Sequence, residues 1–140
     1  LAPGNLGERP YVFTPEPETP YPLALISPAS AKLISSTLGE FNLSELHVTL
    51  NPADALPRDI KNGDLVRVFN HLGEVQLSAR LSDRVRPGVV MIPKGGWRKS
   101  TYNGFTATVL TPDSISSAGG GACFNDARVD VEKALSGAAA

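Results

Sequence analysis

A chain of 140 residues with 41% hydrophobic composition holds enough apolar material for one domain core and too much for a disordered chain. Lys and Arg number 13 against 14 Asp and Glu, and a net charge of -1 disfavours binding to nucleic-acid phosphates, which rests on a basic excess. Cys123 is the 1 cysteine, which excludes a disulfide framework and a multi-cysteine metal site, and no run approaches the ~18 apolar residues of a membrane span.

The chain begins at Leu1 rather than Met, so a processed product or an excised fragment is expected. Such a chain reports no signal, and its compartment, bacterial-type cytoplasm or periplasm, stays open. Pro3, Pro10, Pro15, Pro17, Pro20 and Pro22 crowd the start, and each removes a backbone donor and extends its predecessor. Residues 1–20 are therefore predicted to be an extended lead-in from an upstream domain. Residues 21–133 form the predicted domain, and 134–140 a flexible tail.

Strand patterns follow in order. Residues 22–27 are a short apolar run. In residues 46–50, Leu46, Val48 and Leu50 share one face and His47 and Thr49 the other. Residues 64–70 are β-rich and run into a turn at His71-Leu72-Gly73, where Gly73 is expected to supply a positive φ. The return strand alternates most cleanly, with Val75, Leu77, Ala79 and Leu81 predicted inside. Residues 89–92 are apolar on both faces, as in a strand buried on two sides. Val129 and Val131 alternate with Arg128, Asp130 and Glu132 near the end.

Helix is scarce. Asn51 followed by Pro52 is an N-cap with proline at the first helical position, so residues 53–60 are predicted as a short helix. Pro57 limits its regularity and Asn62-Gly63 ends it; a second short helix is expected around residues 31–38. Short strands separated by turn residues argue for a small closed barrel or a sandwich.

Most catalytic templates are missing: there is no H-E-x-x-H, no G-x-S-x-G and no phosphate-binding P-loop. Cys123, beside Gly119-Gly120-Gly121, is either a reactive thiol or a small apolar residue at a glycine loop. His71 in a turn and His47 on the polar side of a strand fit structural or surface roles. By itself the chain does not look like an enzyme.

Three polar segments stand out. In residues 27–37, Ser27, Ser30, Ser35, Ser36 and Thr37 with Lys32 could wrap a phosphate or form an ordinary serine-rich loop. In residues 51–54, Asp54 complements the dipole of a first helical turn, or accepts the N–H groups of a guanine edge. Residues 93–99, leading on to Tyr102 and Asn103, join two glycines, Trp97 and three cations, which suits a flat anionic ligand or a solvated basic loop. Composition and spacing thus reach a β-barrel binding module for a polar, phosphorylated ligand.

The ordered set of these segments resembles one family. Pro22 to Ser30 with Ile34-Ser35-Ser36-Thr37, then Asn51-Pro52-Ala53-Asp54-Ala55 with Asn62-Gly63-Asp64-Leu65-Val66, are similar to the molybdopterin dinucleotide-binding domain. Arg86-Pro87-Gly88-Val89-Val90, Leu110-Thr111-Pro112-Asp113 and residues 119–125 continue the likeness, which covers residues 21–133. That domain closes the large subunits of the dimethyl sulfoxide reductase and formate dehydrogenase superfamily. The resemblance implies a mainly β fold, a six-stranded double-psi β-barrel with one or two short helices. It implies a bis(molybdopterin guanine dinucleotide) cofactor whose molybdenum or tungsten is ligated outside this domain. It also implies upstream domains of the same parent chain as partners, with an electron-transfer subunit of the parent enzyme as a further one. No nucleic acid and no membrane are expected as partners.

Carried over by position, Ser27, Ser35, Ser36 and Thr37 would face pyrophosphate and sugar, and Asn51 and Asp54 would lie near a guanine. Trp97, Asn103 and Asn125 would line the pterin side. Two positions depart from the family. Thr108 stands where relatives carry the asparagine of "ANxL", and Asn125 stands where they often carry a lysine. The family's metal-ligating side chain lies in another domain, so no catalytic residue is assigned here. The superfamily's usual activity is oxidoreduction, although it includes a hydratase. The competing reading is a β-barrel that binds protein or peptide. The pyruvoyl-dependent decarboxylase on the same barrel type needs a Gly-Ser bond, and the chain has none.

Overall fold

The alternating residues 64–81 fold as an antiparallel hairpin in a computed structural model, which describes residues 15, 18–30, 33–37, 41, 46–115, 120–123 and 125–134. Six strands carry the fold: β1 (Leu23–Ile26), β2 (His47–Leu50), β3 (Leu65–Phe69), β4 (Glu74–Leu81), β5 (Val89–Met91) and β6 (Arg128–Lys133). They close into a barrel in the order β1-β5-β2-β4-β3-β6. Two neighbours run parallel, β1 with β5 and β2 with β4, while the other pairs are antiparallel. This is the mainly β, six-stranded closed barrel that the sequence resemblance implies. One short helix, α1 (Pro52–Ala55), follows β2. No helix among the described residues is long and apolar enough to cross a membrane.

The barrel interior is aliphatic. Val48, Leu50, Val66, Leu77, Val90 and Val129 are each 0% exposed, and they come from five different strands, the hairpin return β4 among them. Period-two alternation puts one side chain of each pair inside and the next outside, so closure buries one face of every strand. Val75, Leu77 and Ala79 lie inside as predicted, but Leu81 is only half-buried at the strand's end, where β2 still pairs with β4 and β3 no longer does.

Several expectations need correcting. Residues 89–92 are not buried on two sides: Val90 and Ile92 fill the interior, while Val89 and Met91 are half-buried. A closed barrel has one interior, so the alternate residues of β5 turn outward. Thr49, placed on the polar side of β2, is itself buried at 8% exposure, since β2 lies between β4 and β5. The predicted helix over 53–60 is a single α-turn that tightens into a 3-10 turn, Leu56–Arg58, where Pro57 sits. It stops at Asp59, left-handed at φ 50, rather than at Asn62-Gly63. Of residues 31–38, the described part holds one 3-10 turn, Ile34–Ser36. The predicted lead-in lies outside the described residues except at 15 and 18–20, and so does the tail beyond 134.

Gly73 has a physical role different from the one expected. It is not left-handed; instead a Cβ there would sit 2.8 Å from Val109 Cγ2, so the glycine permits close approach. The turn is shaped by Asn70. Its Oδ1 accepts from Leu72 N–H at 2.9 Å and Gly73 N–H at 3.3 Å, and its Nδ2 donates to the carbonyls of Leu110 at 2.8 Å and Arg128 at 3.1 Å. One side chain thus ties the β3–β4 turn to two other segments. A second tie joins α1 to the barrel wall. Arg58 donates from Nε and Nη2 to Asp130 Oδ1, at 3.0 and 2.7 Å, and from Nη1 to the Asp54 carbonyl at 2.9 Å.

Candidate functional site

Parallel pairing decides which loops meet. Because β1 and β5 run the same way, the chain leaves both at one end of the barrel, and the loops after them lie side by side. Ile92 N–H donates to Ile26 O at 3.1 Å and Lys94 N–H to Pro28 O at 3.0 Å, extending the contact past the strands. β6 runs antiparallel to β1, so the residues entering β6 reach the same end. There Ser27 N–H approaches Asn125 Oδ1 at 3.5 Å.

These segments enclose a cavity of about 490 Å³. Ser27 and Ser36 come from the loop after β1, Lys94 with Gly95 and Gly96 from the loop after β5, and Asn125 from the approach to β6. The remaining wall is the 3-10 turn Ala107–Leu110 with its flanks, which brings Thr106, Thr108 and Thr111. Hydroxyls, one amide and one ammonium therefore converge on one space at this end of the barrel. A shallower groove of about 530 Å³, lined by Trp97, Arg98 and Lys99, shares Gly96 and Thr106 with the cavity. The two together form a trough suited to an elongated ligand with a polar, anionic stretch and a flat end.

The local sequence explains the trough's shape. A Cβ on Gly96 would overlap Leu46 Cδ1, and Leu46 is buried at 3% exposure, so only glycine lets this loop lie against the barrel rim. Gly96→Ala is expected to cost about 1–3 kcal/mol through overpacking and to widen the cavity mouth. Urea unfolding with an unchanged m-value checks the first part. A Gly96→Ala chain as stable as its parent would mean the loop does not rest on Leu46.

The predicted site residues divide. Ser27, Ser36 and Asn125 meet in the cavity, and Trp97 stands in the adjoining groove. Ser35 belongs to the same 3-10 turn as Ser36, and its side chain lies outside the description; Thr37 closes that turn, its N–H on Ile34 O at 3.2 Å. Asn51 and Asp54 form a separate cluster. Asn51 Oδ1 accepts from Ala53 N–H at 2.8 Å, and its Nδ2 donates to Val85 O at 2.7 Å. Asp54 Oδ2 accepts from Gly88 N–H at 2.8 Å. Both side chains tie α1 to the loop before β5. Asn103 is engaged along the edge of β4, accepting from Gln76 N–H at 3.1 Å and donating to Glu74 O at 3.1 Å.

Sequence reading overlooked Thr106 and Thr111 and noted Thr108 only as a departure. Their signal is the hydroxyl-rich stretch Thr106-Ala107-Thr108-Val109-Leu110-Thr111, whose apolar partners Ala107 and Leu110 are buried and so turn the threonines outward. Cys123 is no activated thiol: the Asp126 carboxylate hydrogen-bonded beside it pushes its pKa above the usual cysteine value. His71 stacks on Tyr21, ring centroids 6.0 Å apart, in the wall of another cavity of about 440 Å³. That cavity sets the carboxylates of Glu18 and Asp126 beside the Arg128 guanidinium, a mixed lining without the convergent hydroxyls of the first.

Comparison with known proteins follows the same geometry. A family model described as "Molydopterin dinucleotide binding domain" matches residues 23–128. A putative dimethyl sulfoxide reductase chain, YnfE of Escherichia coli (strain K12), is 40% identical over 95 residues, 65% of this chain and 12% of that protein. The probable oxidoreductase YoaE of Bacillus subtilis (strain 168) is 32% identical over 134 residues, 90% of this chain and 17% of that one. The chain therefore spans less than a fifth of these relatives' length. Among solved structures, acetylene hydratase from Pelobacter acetylenicus shares the fold with a TM-score of 0.66 at 16% identity, covering 81% of this chain and 18% of that one.

Proposed function

The chain belongs to the molybdopterin dinucleotide-binding domain family, and from that membership we propose its particular task. It holds the nucleotide and part of the pterin of a molybdopterin guanine dinucleotide within a larger molybdenum or tungsten oxidoreductase. The observation that carries the proposal is the trough at the end of β1 and β5, hydroxyl- and amide-lined in its cavity and aromatic and basic in its groove.

The donor set suits such a cofactor. A pyrophosphate held away from bulk water needs hydroxyl and amide donors with limited positive charge. Ser27, Ser36, Thr106 and Thr108 supply hydroxyls, Lys94 one ammonium, and Gly95 and Gly96 backbone free of Cβ obstruction, while the Thr111 hydroxyl donates to Ala107 O at 3.3 Å. Asn125 can both donate to a pterin carbonyl and accept from a ring N–H, whereas a lysine there could only donate. In this reading those residues bind and orient, while the bound cofactor supplies the redox chemistry through a metal ligated in another domain. The domain, residues 21–133, is not catalytic alone. Upstream domains of the parent chain cover the open side of the trough, and the bis-guanine form of the cofactor spans the shared face. An electron-transfer subunit then belongs to the parent enzyme rather than to this barrel.

Titration of the chain with GDP, followed by amide NMR and set against AMP, tests the reading. Guanine-selective shifts are expected at Ser27, Ser36, Gly95, Gly96 and Thr106 to Thr111. Shifts at Asn51 and Asp54 as well would support guanine reaching α1. Equal responses to GDP and AMP, or a silent cavity, would overturn the assignment in favour of a peptide-binding barrel.

A further inference from the structure

We infer that Trp97 is a positioning residue: its indole N–H latches the left-handed Ser36 turn that forms one wall of the cavity. The ligand this serves rests on the cofactor reading above; the latch itself rests on geometry. Trp97 Nε1 donates to Ser36 O at 2.8 Å, a side-chain bond that spans the loops after β1 and β5. Ser36 has φ 107, in the region that favours glycine, and Ile34 two residues earlier has φ 41. The turn's own bonds, Ser36 N–H to Leu33 O at 3.0 Å and Thr37 N–H to Ile34 O at 3.2 Å, leave the Ser36 carbonyl to the indole. A serine held left-handed needs its surroundings to keep it there.

The tryptophan is anchored well enough to do so. Its backbone N–H donates to Ser100 Oγ at 3.2 Å, and its carbonyl accepts from Ser100 N–H at 2.8 Å. The Ser100 carbonyl in turn accepts from Leu46 N–H at 3.2 Å, and Gly96 rests on the Leu46 side chain. The latch therefore runs from the rim at β2 across to the Ser36 turn. One ring face also carries Lys99, whose Nζ lies 5.3 Å from the ring centroid. With its polar edge on Ser36 and a cation over one face, the indole is built as a strut more than as a stacking plate. The expectation that Trp97 lines the pterin side is thereby given a mechanism: it sets the wall that Ser36 presents.

Trp97→Phe keeps an aromatic ring and deletes the donor, and Ser36→Gly removes the need for the donor, because glycine adopts positive φ unaided. Trp97 is the 1 tryptophan of the chain, so its indole N–H resonance is unambiguous. In the ligand-free chain, Trp97→Phe is expected to speed amide exchange at Ser36 and Thr37 by about 10-fold, as a local opening would. In the full-length holoprotein it is expected to lower pterin retention by about 5-fold, the worth of one hydrogen bond. Because Ser36 also offers its hydroxyl to the cavity, Ser36→Gly is read on exchange alone, where adding it to Trp97→Phe is expected to restore slow exchange at Thr37. Unchanged exchange in Trp97→Phe would overturn the latch, and so would fast exchange at Thr37 that Ser36→Gly leaves in place. A wild-type holoprotein without pterin would overturn the cofactor reading instead, and the exchange result alone would then decide the latch.

Discussion

Leu77→Ala is expected to destabilise the barrel by about 2–5 kcal/mol, the range for removing a buried leucine and leaving a partly collapsed cavity. Leu77 is 0% exposed and sits mid-way along β4, opposite Val66 on β3, with β2 on the other side. Strands on both sides prevent the backbone from closing over the lost methyl groups, which favours the upper half of that range. Urea unfolding followed by far-UV circular dichroism gives the value, and an unchanged slope with denaturant shows that the native state is otherwise intact. Arg80→Ala on the outer face of the same strand serves as the control. It should change stability by no more than about 0.5 kcal/mol. A cost for Leu77→Ala as small as that of the control would mean the inward face of β4 is inverted.

Asn70→Ala is expected to cost about 2–4 kcal/mol, which few single polar residues outside an ion pair reach. The amide is shared by four backbone groups in three segments, and alanine replaces none of those bonds. Two carbonyls, of Leu110 and Arg128, and two N–H groups in the hairpin turn lose their partner together. Asn70→Asp separates the halves: its carboxylate still accepts from Leu72 and Gly73 but cannot donate to the carbonyls. The aspartate variant should therefore keep amide protection at Leu72 and Gly73 while still losing stability. Leu110 closes the 3-10 turn that carries the cavity threonines, so weaker ligand binding should accompany the loss. Full stability in Asn70→Ala would show the turn to be held by its backbone alone.

Residue pattern exposed the strands more readily than the site. In β2, β4 and β6, Val48, Leu77 and Val131 could be placed inside from alternation alone, because a strand's side chains must alternate and one face must leave water. β5 misled for the same reason: four apolar residues in a row carry no alternation, and only closure of the barrel turned Val89 and Met91 outward. The helix after Asn51 was visible at its start, where capping is local, and not at its end. There a left-handed Asp59 stops the chain, and Lys133 from β6 bonds its carboxylate at 3.1 Å. Gly73 was singled out for a backbone freedom it does not use, since Val109, its reason for being glycine, is distant in sequence.

Serine, glycine, tryptophan and asparagine in the three polar segments were legible as ligand-binding chemistry, and their order as a family likeness. Which of them share a cavity was not. That depends on the parallel pairing of β1 with β5 and the antiparallel return of β6, contacts between residues far apart in the chain whose register no local pattern encodes. By itself the sequence determined which faces are apolar, where the chain turns and what kinds of donor are present, because those follow from each residue and its near neighbours. Only the tertiary structure decided that Ser27, Ser36 and Asn125 stand together while Asn51, Asp54 and Asn103 are spent on backbone partners. A polar side chain's role is settled by whether a buried backbone group claims it first, and that is known only once the barrel has closed.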